Sequence, residues 1–125
     1  MNLQERLERL LHKYYGYVAD LEGSGIEILD LLFVRDDIQS ILEESRPATE
    51  ISSVLYNQVY QLDDLLWQQK NLFLQVIGED ELRHARGQQQ SLRSHWWWYM
   101  DQIQLPIRPI EALLGQPSLS LIPAG

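Results

Sequence analysis

The chain has 125 residues and a mass of 14.7 kDa, which suits one compact domain with its own hydrophobic core. Its 45% hydrophobic and 22% charged residues exclude a wholly disordered chain, and the absence of cysteine excludes disulfides, thiolate metal sites and thiol catalysis. A net charge of -8 argues against nucleic acid or an anionic membrane as a partner, because both attract a cationic surface. No apolar run is long enough for a membrane span or a leader, so a cytoplasmic location is expected.

The first predicted helix spans residues 2–22. Its apolar side chains recur in alternating steps of four and three, which is the spacing of one face of an amphipathic helix. Asn2 and Glu5 match a capping box at its start, and the turn Gly23–Gly25 ends it. Within this helix, Gly16 costs about 1 kcal/mol relative to alanine, which the close approach of another backbone or a ligand would offset.

The second predicted helix runs from the same turn to about Ser45. Ser24 and Glu27 repeat the capping-box pattern at its start. The run Ile26–Val34 is apolar on all sides of a helix and also fits a buried strand. A helix is favoured, because Asp30 interrupts the run and an isolated strand would have no partner in this chain.

Two longer helices are predicted in the next part of the chain. The third covers about residues 50–77, with Thr49 as its N-cap and Gly78 as its C-terminal stop. The fourth runs from Asp80 to Gln104, where a proline follows within two residues. Because four helices are joined by short connections, the sequence predicts an all-α fold, an antiparallel four-helix bundle.

The predicted bundle covers residues 1–104, and residues 105–125 form a proline-rich C-terminal tail. Four prolines in the tail exclude a long helix, yet eight aliphatic side chains make it too apolar for a solvated segment. We expect the tail to pack back on the bundle or across a dimer. Leu113 and Leu114 lie on a short helix predicted within it.

The run Trp96–Met100 marks the predicted binding surface. Successive residues on a helix point about 100° apart, so three adjacent tryptophans cannot all face one core. With Trp96 on the core side, Trp97 and Trp98 are expected on an exposed flank, where aromatic side chains favour binding of another protein. Two alternatives are cover by the tail or a second copy of the chain, and contact with a pigment or other flat ligand.

Basic side chains accompany this aromatic run. The segment 82–100 contains no acidic residue, and Arg86 and Arg93 lie on the same predicted helix as the tryptophans. We expect Arg86, Arg93, Trp97 and Trp98, together with Leu113 and Leu114 of the tail, to receive an acidic or apolar terminal peptide of a protein partner. Arg93 would stack on one of the indoles. Charge balance with the neighbouring acidic helices is the alternative interpretation.

A pocket between helices is a second candidate site, and it would take a small ligand or a pigment. The side chains expected to line it are Tyr14, Gly16, Tyr17, Trp96 and Met100.

Enzymatic chemistry has little support in the sequence, which holds no phosphate-binding loop and no nucleophile elbow. Adjacent acids such as Asp36–Asp37 and Asp63–Asp64 point about 100° apart on a helix, which is typical of solvated faces. Glu81 and His84 give a single Glu-x-x-His, where di-iron bundles need two and further glutamates. We therefore predict no enzymatic activity, no metal site and no cofactor.

The amino-acid composition of the chain is rich in Gln and Trp and poor in Lys. In this it resembles small cysteine-free helical accessory proteins of cyanobacteria. The stretches Gln88–Arg93 and Trp96–Gln102 carry this resemblance. It implies a role in assembling photosynthetic or carbon-fixing complexes, with a Rubisco, carboxysome or phycobilisome component as client. The sequence therefore predicts a non-enzymatic protein-binding adaptor or assembly chaperone. The alternatives are a homo-oligomeric structural protein that dimerises through its tail, and a carrier of a small molecule or pigment.

Overall fold

The computed structural model describes residues 2–45, 51–90 and 94–103, and the regular structure in these ranges is helical. The all-α prediction is therefore confirmed for the described part of the chain, and the strand alternative for Ile26–Val34 is wrong. Short 3-10 helices cover Gly25–Glu27 and Trp96–Trp98. The α-helices are α1 (Leu3–Ala19), α2 (Leu21–Ser24), α3 (Ile28–Glu44), α4 (Ser53–Gln68), α5 (Lys70–Ile77) and α6 (Glu79–Gln89).

The start of α1 has the predicted capping box. The Asn2 side-chain oxygen accepts a hydrogen bond from the Glu5 backbone N–H at 2.8 Å, and the Glu5 carboxylate accepts one from the Asn2 backbone N–H at 3.3 Å. These two bonds satisfy backbone donors that have no partner within the helix. The sequence signal therefore located this helix start to the residue.

The turn between α1 and α3 differs from the prediction. Asp20 caps the short α2 by accepting a hydrogen bond from the Gly23 backbone N–H at 3.0 Å. Ser24 has helical backbone angles and makes no side-chain capping bond, so the second predicted capping box is wrong. Gly25 has a φ of +56°, a left-handed conformation that glycine adopts without steric cost, and it turns the chain toward α3.

The three long helices run up, down and up. Tyr14 of α1 contacts Asp63 of α4, and farther along both helices the Gln69 side chain donates to the Val18 carbonyl, so α1 and α4 are parallel. Helix α3 runs antiparallel to both, since Arg35 contacts Asp63 while the later Ser45 contacts Tyr56 near the start of α4. This arrangement places α1, α3 and α4 around one buried core.

The third predicted helix is divided into α4 and α5 at Gln69. The Gln69 side-chain amide donates to the Val18 carbonyl at 3.1 Å and to the Leu65 carbonyl at 3.3 Å. A single helix over residues 50–77 is therefore wrong, because hydrogen bonds at the break tie the end of α4 to α1. The predicted stop at Gly78 is confirmed, with a φ of +85°. Thr49, the predicted N-cap, lies outside the described residues, and Ser52 caps α4.

The fourth predicted helix is wrong beyond Gln89. Gln90 adopts the left-handed conformation, with a φ of +53°, and its backbone N–H donates to the Arg86 carbonyl. The described chain then resumes at residue 94 and forms the 3-10 helix Trp96–Trp98. One straight helix would have spread the three indoles over about 200° of its surface, whereas this irregular path turns all of them inward. The predicted tail lies outside the described residues.

Candidate functional site

The aromatic run that the sequence singled out lies in the interior of the protein. Trp96, Trp97 and Trp98 are each 0% exposed. The expectation that Trp97 and Trp98 occupy an exposed flank is therefore wrong. It assumed a continuous helix through this run, and the structure has none there.

Asp36 of α3 explains how two of the indoles are buried with their polar atoms satisfied. Trp97 Nε1 donates to Asp36 Oδ1 at 2.8 Å, and Trp98 Nε1 donates to both carboxylate oxygens at 3.0 and 3.1 Å. His95 Nδ1 lies 3.1 Å from the same Oδ1. A buried indole N–H needs an acceptor, and one carboxylate serves this whole group. We call Asp36, His95, Trp97 and Trp98 the Asp36 cluster.

Ring contacts within the Asp36 cluster and at the neighbouring Trp96 hold the aromatic segment against the long helices. The Trp97 ring stacks on the His95 ring, with 4.7 Å between the ring centroids. The guanidinium of Arg35, a residue of α3, lies 4.2 Å from the centroid of the Trp97 ring. Trp96 meets Trp67 of α4 edge to face at 5.9 Å. Cation–π and edge-to-face contacts of this kind stabilise buried aromatic groups beyond the area they bury. The 94–103 segment is thereby attached to both α3 and α4.

Arg86, predicted to contact a partner, makes its contacts within the chain. Its guanidinium donates to the Asp101 carboxylate at 2.7 Å and to the Trp98 carbonyl at 2.8 Å, and it lies 4.9 Å from the Tyr99 ring centroid. The side chain is almost fully buried. Arg86 therefore fastens the aromatic segment to α6. The remaining predicted contact residues, Arg93, Leu113 and Leu114, lie outside the described part of the chain.

A buried ion pair lies next to these rings at the centre of the three long helices. The Arg35 guanidinium donates to both Asp63 carboxylate oxygens at 2.9 Å, and the Tyr14 hydroxyl donates to the same carboxylate at 2.6 Å. Burial would lower the pKa of Arg35, but the Asp63 carboxylate outweighs it and the pKa is raised. Burial and then the Asp63 charge raise the pKa of Tyr14 well above 10.0. Both shifts favour the protonated forms of Arg35 and Tyr14, in which these side chains donate to Asp63.

The predicted ligand pocket is not assembled as a single lining. Tyr14 is bound to Asp63 in the core, whereas the Tyr17 hydroxyl donates to Asp30 of α3 at 2.7 Å. A Cβ atom added at Gly16 would meet no atom of the described residues within 4 Å, so none of the described backbone makes the close approach expected there. Trp96 and Met100 are both buried. A ligand-binding role for these five residues stays a prediction.

A groove between α1 and α4 is the open apolar feature that sequence reasoning missed. In the described part of the chain, three large apolar side chains are exposed, and all three line this groove: Tyr15 (57%), Val54 (61%) and Leu65 (45%). The groove encloses about 680 Å³. The sequence contains a signal for this groove. Val54 and Leu65 are aliphatic and each lies one position before a core residue of α4, so they form a second apolar face beside the core face. The other lining residues are Glu8, Leu11, His12, Ser52, Leu55, Gln58, Gln61 and Leu62.

Within residues 2–45, 51–90 and 94–103, no three His, Asp or Glu side chains are grouped as a metal ion would need. Over the same ranges, none of the helices has the length and apolarity needed to cross a membrane. Comparison of the chain with protein-family models, with curated proteins and with solved structures gave no match.

Proposed function

We propose that this chain is a non-enzymatic protein-binding adaptor or assembly chaperone, and that the α1–α4 groove is where it binds another helix. One observation carries the proposal: the exposed large apolar side chains of the described residues, Tyr15, Val54 and Leu65, all line one groove. Apolar side chains scattered singly over a surface need no explanation, but their grouping in a concave site is typical of protein contacts. The groove thus replaces the buried tryptophans as the proposed contact surface.

The chemistry of the groove favours an amphipathic helix that is uncharged on its buried face. The α4 wall presents Val54, Gln58, Gln61 and Leu65, none of which is charged. A helix packed into such a groove is recognised by side chains spaced three and four residues apart. Of the two partner types expected from the sequence, the apolar one therefore fits this wall better than the acidic one.

The proposal also covers the C-terminal tail, the location of the protein and its client. We propose an antiparallel four-helix bundle over residues 1–104, with the proline-rich tail 105–125 packing back on it or across a dimer through Leu113 and Leu114. The eight aliphatic side chains of that tail support this proposal. A cytoplasmic location and a client in a photosynthetic or carbon-fixing complex are likewise proposed, the client on the resemblance alone.

Site-specific photo-crosslinking tests whether the groove binds protein. We would place p-benzoylphenylalanine at Leu65 in the full chain, and at the exposed Gln75 of α5 as the matched control. Irradiation in the native host should give protein adducts from the Leu65 site and few from the Gln75 site. Equal yields from both sites, or no protein adduct from the Leu65 site, would contradict the proposal. Mass spectrometry of the adduct distinguishes a second copy of the chain from a different protein.

A further inference from the structure

We infer that the helix bound in the α1–α4 groove is α4 of a second copy of this chain, packed antiparallel in a two-fold symmetric dimer. The inference rests on one part of the proposed function, the groove as a site that binds a helix, and it names a second copy of this chain as the occupant.

Helix α4 carries two parallel stripes of side chains. The buried stripe faces the protomer core, and the second stripe lies one residue before it at every position and forms the groove wall. Both stripes follow steps of four, three and four residues, which is the spacing of a helix–helix seam. The core stripe is Leu55, Val59, Leu62 and Leu66, and the groove stripe is Val54, Gln58, Gln61 and Leu65.

The groove stripe reads the same in both directions, apolar–amide–amide–apolar, so it is complementary to its own antiparallel copy. An antiparallel two-fold pairing places Val54 opposite Leu65 of the partner subunit, and Gln58 opposite Gln61 of the partner subunit. Aliphatic side chains then meet aliphatic ones, and each glutamine amide, which has both donors and an acceptor, meets another amide. A parallel pairing shifted by one step would bury an amide against an aliphatic group, which costs about 1–3 kcal/mol for each unpaired group. The pattern therefore specifies the register of an isologous interface. An in-register parallel pairing would also match like with like, but antiparallel packing is favoured because it opposes the two helix dipoles.

The charge distribution permits this contact between two copies of an acidic chain. A net charge of -8 makes two copies repel each other over most orientations. The sequence has no charged residue from Ile51 to Leu62, and the carboxylate that follows, Asp63, is buried against Arg35. Two copies can therefore pack through the α4 wall without placing charges of the same sign opposite each other. From α1, the titratable side chains in the groove are Glu8 and His12.

Charge substitutions at the two glutamines test the inference by analytical ultracentrifugation of the full chain. The unmodified chain should sediment as a dimer, with twice the 14.7 kDa mass, at micromolar concentration. Gln58→Glu alone and Gln61→Lys alone should each weaken self-association tenfold or more, because a charge would face an amide in a partly desolvated seam. A 1:1 mixture of these two variants should recover a dimer, since Glu at 58 of one chain faces Lys at 61 of the other.

The mixture separates the predicted pairing from its alternatives, and Gln75→Lys on α5 is the matched control that should leave self-association unchanged. Both glutamines are exposed, so circular dichroism should show the variants folded as the parent chain is. An unmodified chain that stays monomeric overturns the inference. So does a dimer that the single variants leave unchanged, as tail-mediated association would, or a mixture that gains nothing over either variant. If Leu65 crosslinks a different protein while the chain is monomeric, the proposed function stands and only this inference fails.

Discussion

The Trp96–Met100 segment and the α1–α4 groove differ in how much of their apolar side chains is exposed to solvent. Three adjacent indoles are fully buried, with Asp36 accepting hydrogen bonds from two of them. In the groove, Tyr15, Val54 and Leu65 come from two helices and remain 45–61% exposed. The density of apolar residues along the sequence therefore does not indicate exposure. Neighbours that cover the rings decide it, and Asp36 supplies an acceptor for two of the three indole N–H groups.

The largest effect is expected at the ion pair beneath the buried rings. Asp63→Ala leaves Arg35 charged and buried without its carboxylate, and it removes the acceptor of Tyr14. Loss of one partner of a buried pair should lower the free energy of unfolding by about 3–5 kcal/mol. Urea denaturation followed by circular dichroism measures this, with the exposed neighbour Asp64→Ala as control. A loss below about 1 kcal/mol would show that water or another group takes the place of Asp63.

A smaller loss is expected when the Asp36 cluster loses its acceptor. Asp36→Ala leaves the N–H groups of Trp97 and Trp98 buried without a partner, which should cost about 2–3 kcal/mol. Asp37→Ala is the control. Burial and repulsion from Asp36 raise the pKa of Asp37 above its usual 3.8, so its ionised form destabilises the folded state near pH 7, and its removal should not reduce stability. Similar losses for both variants in urea denaturation would mean that the indoles do not depend on Asp36.

Alkaline pH should weaken the contacts of α1. Burial, followed by the hydrogen bond to Asp30, raises the pKa of Tyr17 to about 12, and burial raises that of Tyr14 well above 10.0. Between pH 10 and 12 the unfolded chain loses these protons while the folded chain keeps them, so stability is full below pH 10 and falls as the pH rises. Absorbance at the tyrosinate band should show the two groups ionising late. Tyr14→Phe should flatten the pH dependence, and an unchanged dependence argues against this origin.

The smallest effect is expected in the groove, and it sharpens the contrast between the two regions. Leu65→Ala removes an exposed side chain and should change protomer stability by no more than about 0.5 kcal/mol. Leu66→Ala, its fully buried neighbour, should cost about 2–5 kcal/mol. Denaturation at the lowest concentration that circular dichroism permits separates the two. A large loss from Leu65→Ala would show that the groove wall is part of the protomer core.

Local signals in the sequence predicted the helical class and several helix ends. Asn2 and Glu5 located the start of α1, because a capping box involves only neighbours in the chain. Gly78 marked the end of α5 for the same reason, since a left-handed backbone angle is a local property.

Features that depend on distant residues were not predictable. The acceptor of Trp97 lies 61 residues earlier in the chain, so the sequence around the tryptophans cannot show that their N–H groups are satisfied. The break at Gln69 depends on the Val18 carbonyl, which is 51 residues away. The groove has no dense apolar run of its own in the sequence, because its lining is divided between α1 and α4. Tyr15 lines the same groove as Val54 and Leu65 only because α1 and α4 are packed side by side in the folded chain.

The contacts that lead from Tyr14 through Asp63 and Arg35 to Trp97 join α1, α4, α3 and the aromatic segment in one connected series. No one of these elements can open without exposing or breaking a buried charged contact. Partial opening should therefore cost nearly as much free energy as complete unfolding. Backbone amides in the middle of all three long helices are accordingly expected to show similar protection from hydrogen exchange, as a single cooperative unit.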